Sequence, residues 1–123
     1  MIKKIAVEHI QSDLKNVADW LDLAVDAIQF DTSIEPIELF KKQIIEMEST
    51  YLEFPEDDER TGVIERLLKA GEAPKPIYVA NSDEHNFIME GRHRIVAFHR
   101  VGLVEIPVCR VRPIPTNKPK FRP

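Results

Sequence analysis

The sequence predicts an α/β domain of the α+β kind, a small sheet flanked by helices with an extra helix in front. Three observations point there. The first half is dominated by apolar residues at three- and four-residue spacing. From Pro76 onward three short β runs appear, at Pro76–Ala80, Phe87–Glu90 and Ile106–Val111. Between the second and third of them, Gly91 breaks the pattern and a helical stretch follows. A chain of 123 residues suits one domain and can bury a core without disulfides.

Element by element, Ile10, Leu14, Val17, Leu21, Ala24 and Ile28 form one stripe, which predicts a helix from about Val7 to Ile28. Asp31-Thr32-Ser33 reads as a break. Ile34 to Leu39 alternates apolar and polar and predicts a short strand, with Pro36 placing it at a sheet edge or a strand start. Phe40, Ile44, Met47 and Tyr51 predict a helix over Phe40–Leu52, and Glu59–Ala70 is a further helix stopped by Gly71. Asn81 to Asn86 is a polar loop between strands. Arg92 to Val101 is helical and closed by Gly102. The domain boundaries that follow are 1–30 for an N-terminal helical extension, 31–112 for the sheet-bearing domain and 113–123 for a Pro/Lys/Arg-rich tail.

Composition narrows the function classes. Hydrophobic residues make up 43% and charged residues 31%, an ordinary globular balance. The net charge of −4 argues against broad nucleic-acid binding, which needs a basic face. No apolar run approaches the roughly 20 residues of a membrane span, so a cytoplasmic location is expected. The single cysteine, Cys109, sits in an alternating apolar stretch and reads as a small buried hydrophobe. The acidic clusters Asp57-Asp58-Glu59 and Asp83-Glu84 read as solvated turns, and His85, His93 and His99 have no zinc spacing, so no metal site is expected.

The stretch that carries chemistry is Glu90-Gly91-Arg92-His93-Arg94. A strand ends, glycine permits a tight turn, and a helix opens with three basic residues. Helix N-termini present free N–H groups and partial positive charge, so cations there disfavour the helix unless an anion is bound. Glu90, adjacent to the turn, has a plain reading as an ion-pair partner for one of its arginines. His93 is an acid–base candidate.

Pro76-Ile77-Tyr78-Val79, then Glu90-Gly91-Arg92-His93-Arg94-Ile95, Gly102 and Ile106-Pro107-Val108 together resemble the ParB/sulfiredoxin superfamily. The resemblance covers roughly Ile34 to Val111 and is specific only from Pro76. It implies a small mixed sheet flanked by helices, with the Gly-x-His-Arg turn as a phosphate cradle. Gly91, Arg92, His93 and Arg94 would then contact phosphate oxygens, and Arg60, matching an arginine ahead of the middle helix, would reach the same pocket. The implied ligands are ATP, ADP or CTP with Mg²⁺, and the superfamily's free-serine kinase branch implies a carboxylate as general base, for which Glu90, Glu35 and Glu38 are the candidates. Sulfiredoxins carry a cysteine where this chain has Arg92, so thiol-based sulfinic-acid reduction is not expected. The acidic-Asn-x-x-Arg element and DNA-reading module of partitioning ParB proteins are not expected after Val111.

The function expected from the turn is binding of a nucleotide or other phosphate ligand, with phosphohydrolase, phosphotransferase or nuclease chemistry open. The alternatives are a non-catalytic DNA- or RNA-associated regulator and a partner-binding module. A homodimer through the N-terminal helix would leave Trp20, Leu21 and Leu23 partly exposed in one protomer. On this reading, His93→Ala with Arg94→Ala abolishes phosphate binding and leaves folding largely intact.

Overall fold

The computed structural model describes residues 7–80 and 86–114. The readings of Asp83-Glu84 and His85, the loop before Asn86 and the tail beyond Ile114 lie outside the described residues, and for His9 and Ile10 only the backbone is described. The domain is α+β: α1 (Val7–Leu21), β1 (Ile28–Pro36), α2 (Lys41–Tyr51), α3 (Pro55–Lys69), β2 (Ile77–Ala80), β3 (Ile88–Glu90), α4 (Arg92–Arg100) and β4 (Glu105–Pro113). The sheet order is β1-β4-β2-β3, with β4 antiparallel to β1 and parallel to β2, and β2 antiparallel to β3.

Strand β4 lies between two neighbours, and its segment Ile106–Cys109 is buried on both faces, which is why that segment is continuously apolar. The period of two sorts its side chains. Ile106 and Val108 join Ile77, Val79 and Ile88 on the face covered by α2, α3 and α4, where Phe40, Ile44, Tyr51, Ile95, Val96 and Phe98 fill the core. Cys109 and Val111 join Ile28, Tyr78 and Met89 on the other face, covered by Leu14, Val17 and Ala18 of α1. Cys109 is fully buried, as expected, and burial pushes its thiol up to about 12.

Helix α1 is therefore a second helical layer, on the opposite face of the sheet from α2, α3 and α4. It ends seven residues earlier than its apolar stripe predicts. Asp22 adopts a left-handed φ of 56°, the Asp22 N–H reaches the Asp19 carbonyl, and the Leu23 N–H reaches the Ala18 carbonyl. This is a Schellman stop with aspartate in the position usually taken by glycine. Ile28 belongs to β1 instead, so a boundary after residue 30 cuts a strand.

The predicted strand Ile34–Leu39 is corrected to Ile28–Pro36. Residues Ile37–Phe40 form a 3₁₀ turn in which Ile37 and Phe40 are buried while Leu39 is exposed. Spacing of three is the period of that turn, so the apolar alternation across Pro36 joins two different structures. Helix α3 starts earlier than predicted. Pro55 occupies its first turn, followed by Glu56, Asp57 and Asp58, residues suited to the positive end of a helix. The Asp57-Asp58 pair is thus the opening of a helix rather than a solvated turn.

Candidate functional site

The turn between β3 and α4 is built around Gly91. Its φ is 97°, and a Cβ there would lie 3.0 Å from the Ile77 side chain and 3.1 Å from the Ile77 Cα. Glycine is thus required both by the backbone and by the close approach of β2. The space a side chain would occupy is filled by Ile77, so the glycine serves packing. It sets the direction of α4, whose first three residues then diverge.

Arg92 is exposed and has no ion-pair partner among the described residues. It borders a groove of about 800 Å³ formed by α2, the edge strand β3, the start of α4 and Trp20 of α1. Lys42 and Gln43 line its α2 wall, Met47 and Tyr51 lie deeper, and Phe87 and Met89 supply apolar surface from the β3 side. His93 lines the same groove. Its ring stacks on Tyr51 with centroids 5.1 Å apart at 18°, and Nε2 lies 2.9 Å from Oδ1 of Asp57. Burial raises the Tyr51 hydroxyl above its ordinary value, and the nearby Arg92 charge partly opposes that rise.

Arg94 points elsewhere. Its Nη1 donates to Asp13 Oδ2 at 2.8 Å and to the Pro76 carbonyl at 2.7 Å, and Nη2 reaches Asp13 Oδ1 at 3.3 Å. It fastens α4 to α1 and to the start of β2, and it does not line the groove. Arg60 is exposed on α3, and Glu90 is half-buried on β3; neither lines the groove. Of the expected constellation the structure brings Arg92 and His93 to one groove, uses Gly91 to aim them, and leaves Arg94, Arg60 and Glu90 outside it.

Sequence reasoning missed the residues that organise this end of the molecule. Asp57 fixes the His93 ring from 36 positions away. Arg100, in the last turn of α4, is held by Glu48 of α2 and by Asp58 and Glu65 of α3, at 2.6, 2.9 and 3.2 Å. These carboxylates raise its already high pKa, and they lock α2 and α3 around α4. Arg110 binds both oxygens of Glu35 at 2.7 and 3.0 Å and the Asn86 side chain at 3.1 Å. Only long-range contacts reveal these pairs; the sequence signal was limited to acidic residues at the start of α3.

Comparison with protein-family models, with curated proteins and with solved structures finds no match to this chain. The functional reading therefore rests on the geometry just described.

Proposed function

We propose that the groove at the start of α4 binds a phosphate-bearing ligand, with a nucleotide as the leading case. The observation that carries this reading is Arg92, exposed and without a carboxylate partner among the described residues, beside the N-terminal turn of α4 on the wall of a large groove. A phosphate there would meet the Arg92 guanidinium, the free N–H groups of the helix and the positive end of its dipole. His93, already oriented by Tyr51 and Asp57, stands on the same wall. Lys42 adds a second cation across the groove.

The rest of the lining suits the remainder of a nucleotide. Trp20 is 66% exposed and Phe87 55%, and both face the groove with Met89 and Met47, which gives a planar base apolar surface to lie against. The resemblance of Glu90 to Arg94 to the ParB/sulfiredoxin turn points to the same ligand class. Magnesium would accompany the nucleotide, and Asp57 and Glu46 are the carboxylates the groove offers it.

The test is a thermal-shift panel with ATP, ADP, CTP, GTP, pyrophosphate and phosphate, each with and without magnesium. Ligand at 100 times its Kd should stabilise by about 2.7 kcal/mol. The shift should vanish in Arg92→Ala and weaken in His93→Ala. Absence of a shift with every anion would overturn the reading. Arg94 is unsuitable for this test, because its substitution breaks the pair with Asp13.

A further inference from the structure

We propose that two copies of this chain associate through the outer edge of β1, running antiparallel about a two-fold axis that passes through Thr32. Strand β1 closes one side of the sheet, and among the described residues nothing pairs with its outer edge. The hydrogen bonds flanking its ladder with β4 show which groups face outward. Ile37 donates to Val104, and Ala27 accepts from Ile114, so the odd-numbered residues face β4. Backbone groups of Phe30, Thr32 and Ile34 then point away from the sheet.

Edge strands of this length are ordinarily guarded by lysine, proline or a bulge. The β1 sequence IQFDTSIEP has no lysine, its two carboxylates are paired with arginines of β4 (Asp31 with Arg112, Glu35 with Arg110), its proline stands at the last position, and its register with β4 is uninterrupted. Phe30 and Ile34 are 41% and 47% exposed, and both lie on the face that carries Ile28.

The occupant is a second copy because the strand is complementary to itself in one register. An antiparallel pair centred on Thr32 overlaps the whole strand, residues 28–36. Phe30 then stands opposite Ile34, the kind of aromatic and β-branched cross-strand pair that stabilises sheets. Asp31 faces Ser33 and Gln29 faces Glu35, so no carboxylate meets another. Glu35 is already neutralised by Arg110. The outward groups of Phe30, Thr32 and Ile34 would form about six hydrogen bonds, two for each opposed pair. Centring on Asp31 sets that carboxylate against its own copy, centring on Ser33 sets Asp31 against Glu35, and centring on Phe30 or on Ile34 overlaps only residues 28–32 or 32–36. The last of these also sets Thr32 against Pro36, which has no N–H to give.

This dimer would be one continuous sheet. The groove of the proposed function lies at the β3 side, the opposite edge, and stays open.

The experiment is sedimentation equilibrium of the full chain over a range of concentrations, with three variants at the axis. The wild type is expected to be a dimer. Thr32→Lys and Thr32→Glu place like charges opposite each other, so each alone should be a monomer. Mixed in equal amounts they should recover the dimer, because Thr32 faces itself. Thr32→Pro, which removes an outward N–H and also fixes φ at that position, should be a monomer, with circular dichroism checking that the fold is kept. A monomeric wild type up to its solubility limit would overturn the proposal. So would variants that stay dimeric, which would point to another face such as that around Trp20, or charged variants that fold as monomers and fail to pair when mixed.

Discussion

Arg94 on α4 and Asp13 on α1 meet in a two-pronged ion pair, with Nη1 to Oδ2 at 2.8 Å and Nη2 to Oδ1 at 3.3 Å, although 81 positions separate them in the chain. Asp13 is 8% exposed. Removing one partner leaves the other charged and poorly solvated, so Arg94→Ala and Asp13→Ala should each cost about 3 kcal/mol. Replacing both, with Asp13→Leu and Arg94→Met, should recover most of that loss. Urea unfolding of the four proteins measures both the loss and its recovery. The expectation that His93→Ala with Arg94→Ala spares the fold is replaced by this one.

Tyr78 is fully buried, and among the described residues its hydroxyl makes no hydrogen bond of good geometry, although Asp13 lies nearby. Burial drives its pKa far above the ordinary tyrosine value. A buried donor left unsatisfied costs about 1–3 kcal/mol, so Tyr78→Phe should be neutral or stabilising by about 1 kcal/mol. A chemical-denaturation midpoint checks it, and a marked loss of stability would show that the hydroxyl has a partner.

At Gly91 the φ of 97° and the 3.0 Å approach to Ile77 act together. Gly91→Ala should cost about 3 kcal/mol, with backbone strain and the displacement of β2 both contributing. Gly102 has a φ of 85°, and a Cβ added there would meet nothing within 4 Å, so Gly102→Ala should cost only about 1 kcal/mol. Thermal melts of the two variants test the contrast.

The Glu35 carboxyl is held below its ordinary value, chiefly by the hydrogen bonds from Arg110, with burial opposing. Its folded pKa is depressed, so the pair adds stability above the unfolded value near 4.5, and that stability is lost as pH falls through the folded pKa. Glu35→Gln should therefore be less stable than the wild type at pH 7, and the difference should shrink on acidification below pH 4.5. Stability measured against pH for both proteins decides it.

How much of this was legible depends on the range of the interaction. The helix stops at Gly71 and Gly102 could be read locally. Their N–H groups close the same Schellman pattern that ends α1, with Glu72 reaching Leu67 and Leu103 reaching Phe98. Asp22 does the same work in α1, but aspartate is a weaker signal than glycine, and the stripe running on to Ile28 hid the stop. β4 was readable because its segment Ile106–Cys109, buried on both faces, is continuously apolar. The start of β1 was not, because Ile28 pairs with Pro113 at the far end of the domain. At the site, the basic turn was visible, yet its division was not. Whether an arginine meets solvent or a carboxylate depends on α1 and α3, which local spacing cannot place.

The position of β4 has a consequence for how the protein forms. It is one of two interior strands, joining β1 on one side to the β2–β3 pair on the other, and it follows every other described element in the chain. Until residues 105–113 leave the ribosome, β1 has no neighbour in the sheet and the β2–β3 hairpin lacks the strand that joins it to β1. The β1–β4 ladder also spans long stretches of sequence, from Pro36 with Glu105 to Ile28 with Pro113, and such closures are slow. Assembly is therefore expected to be late and all at once, with the nascent chain dependent on holdase protection until its last strand arrives.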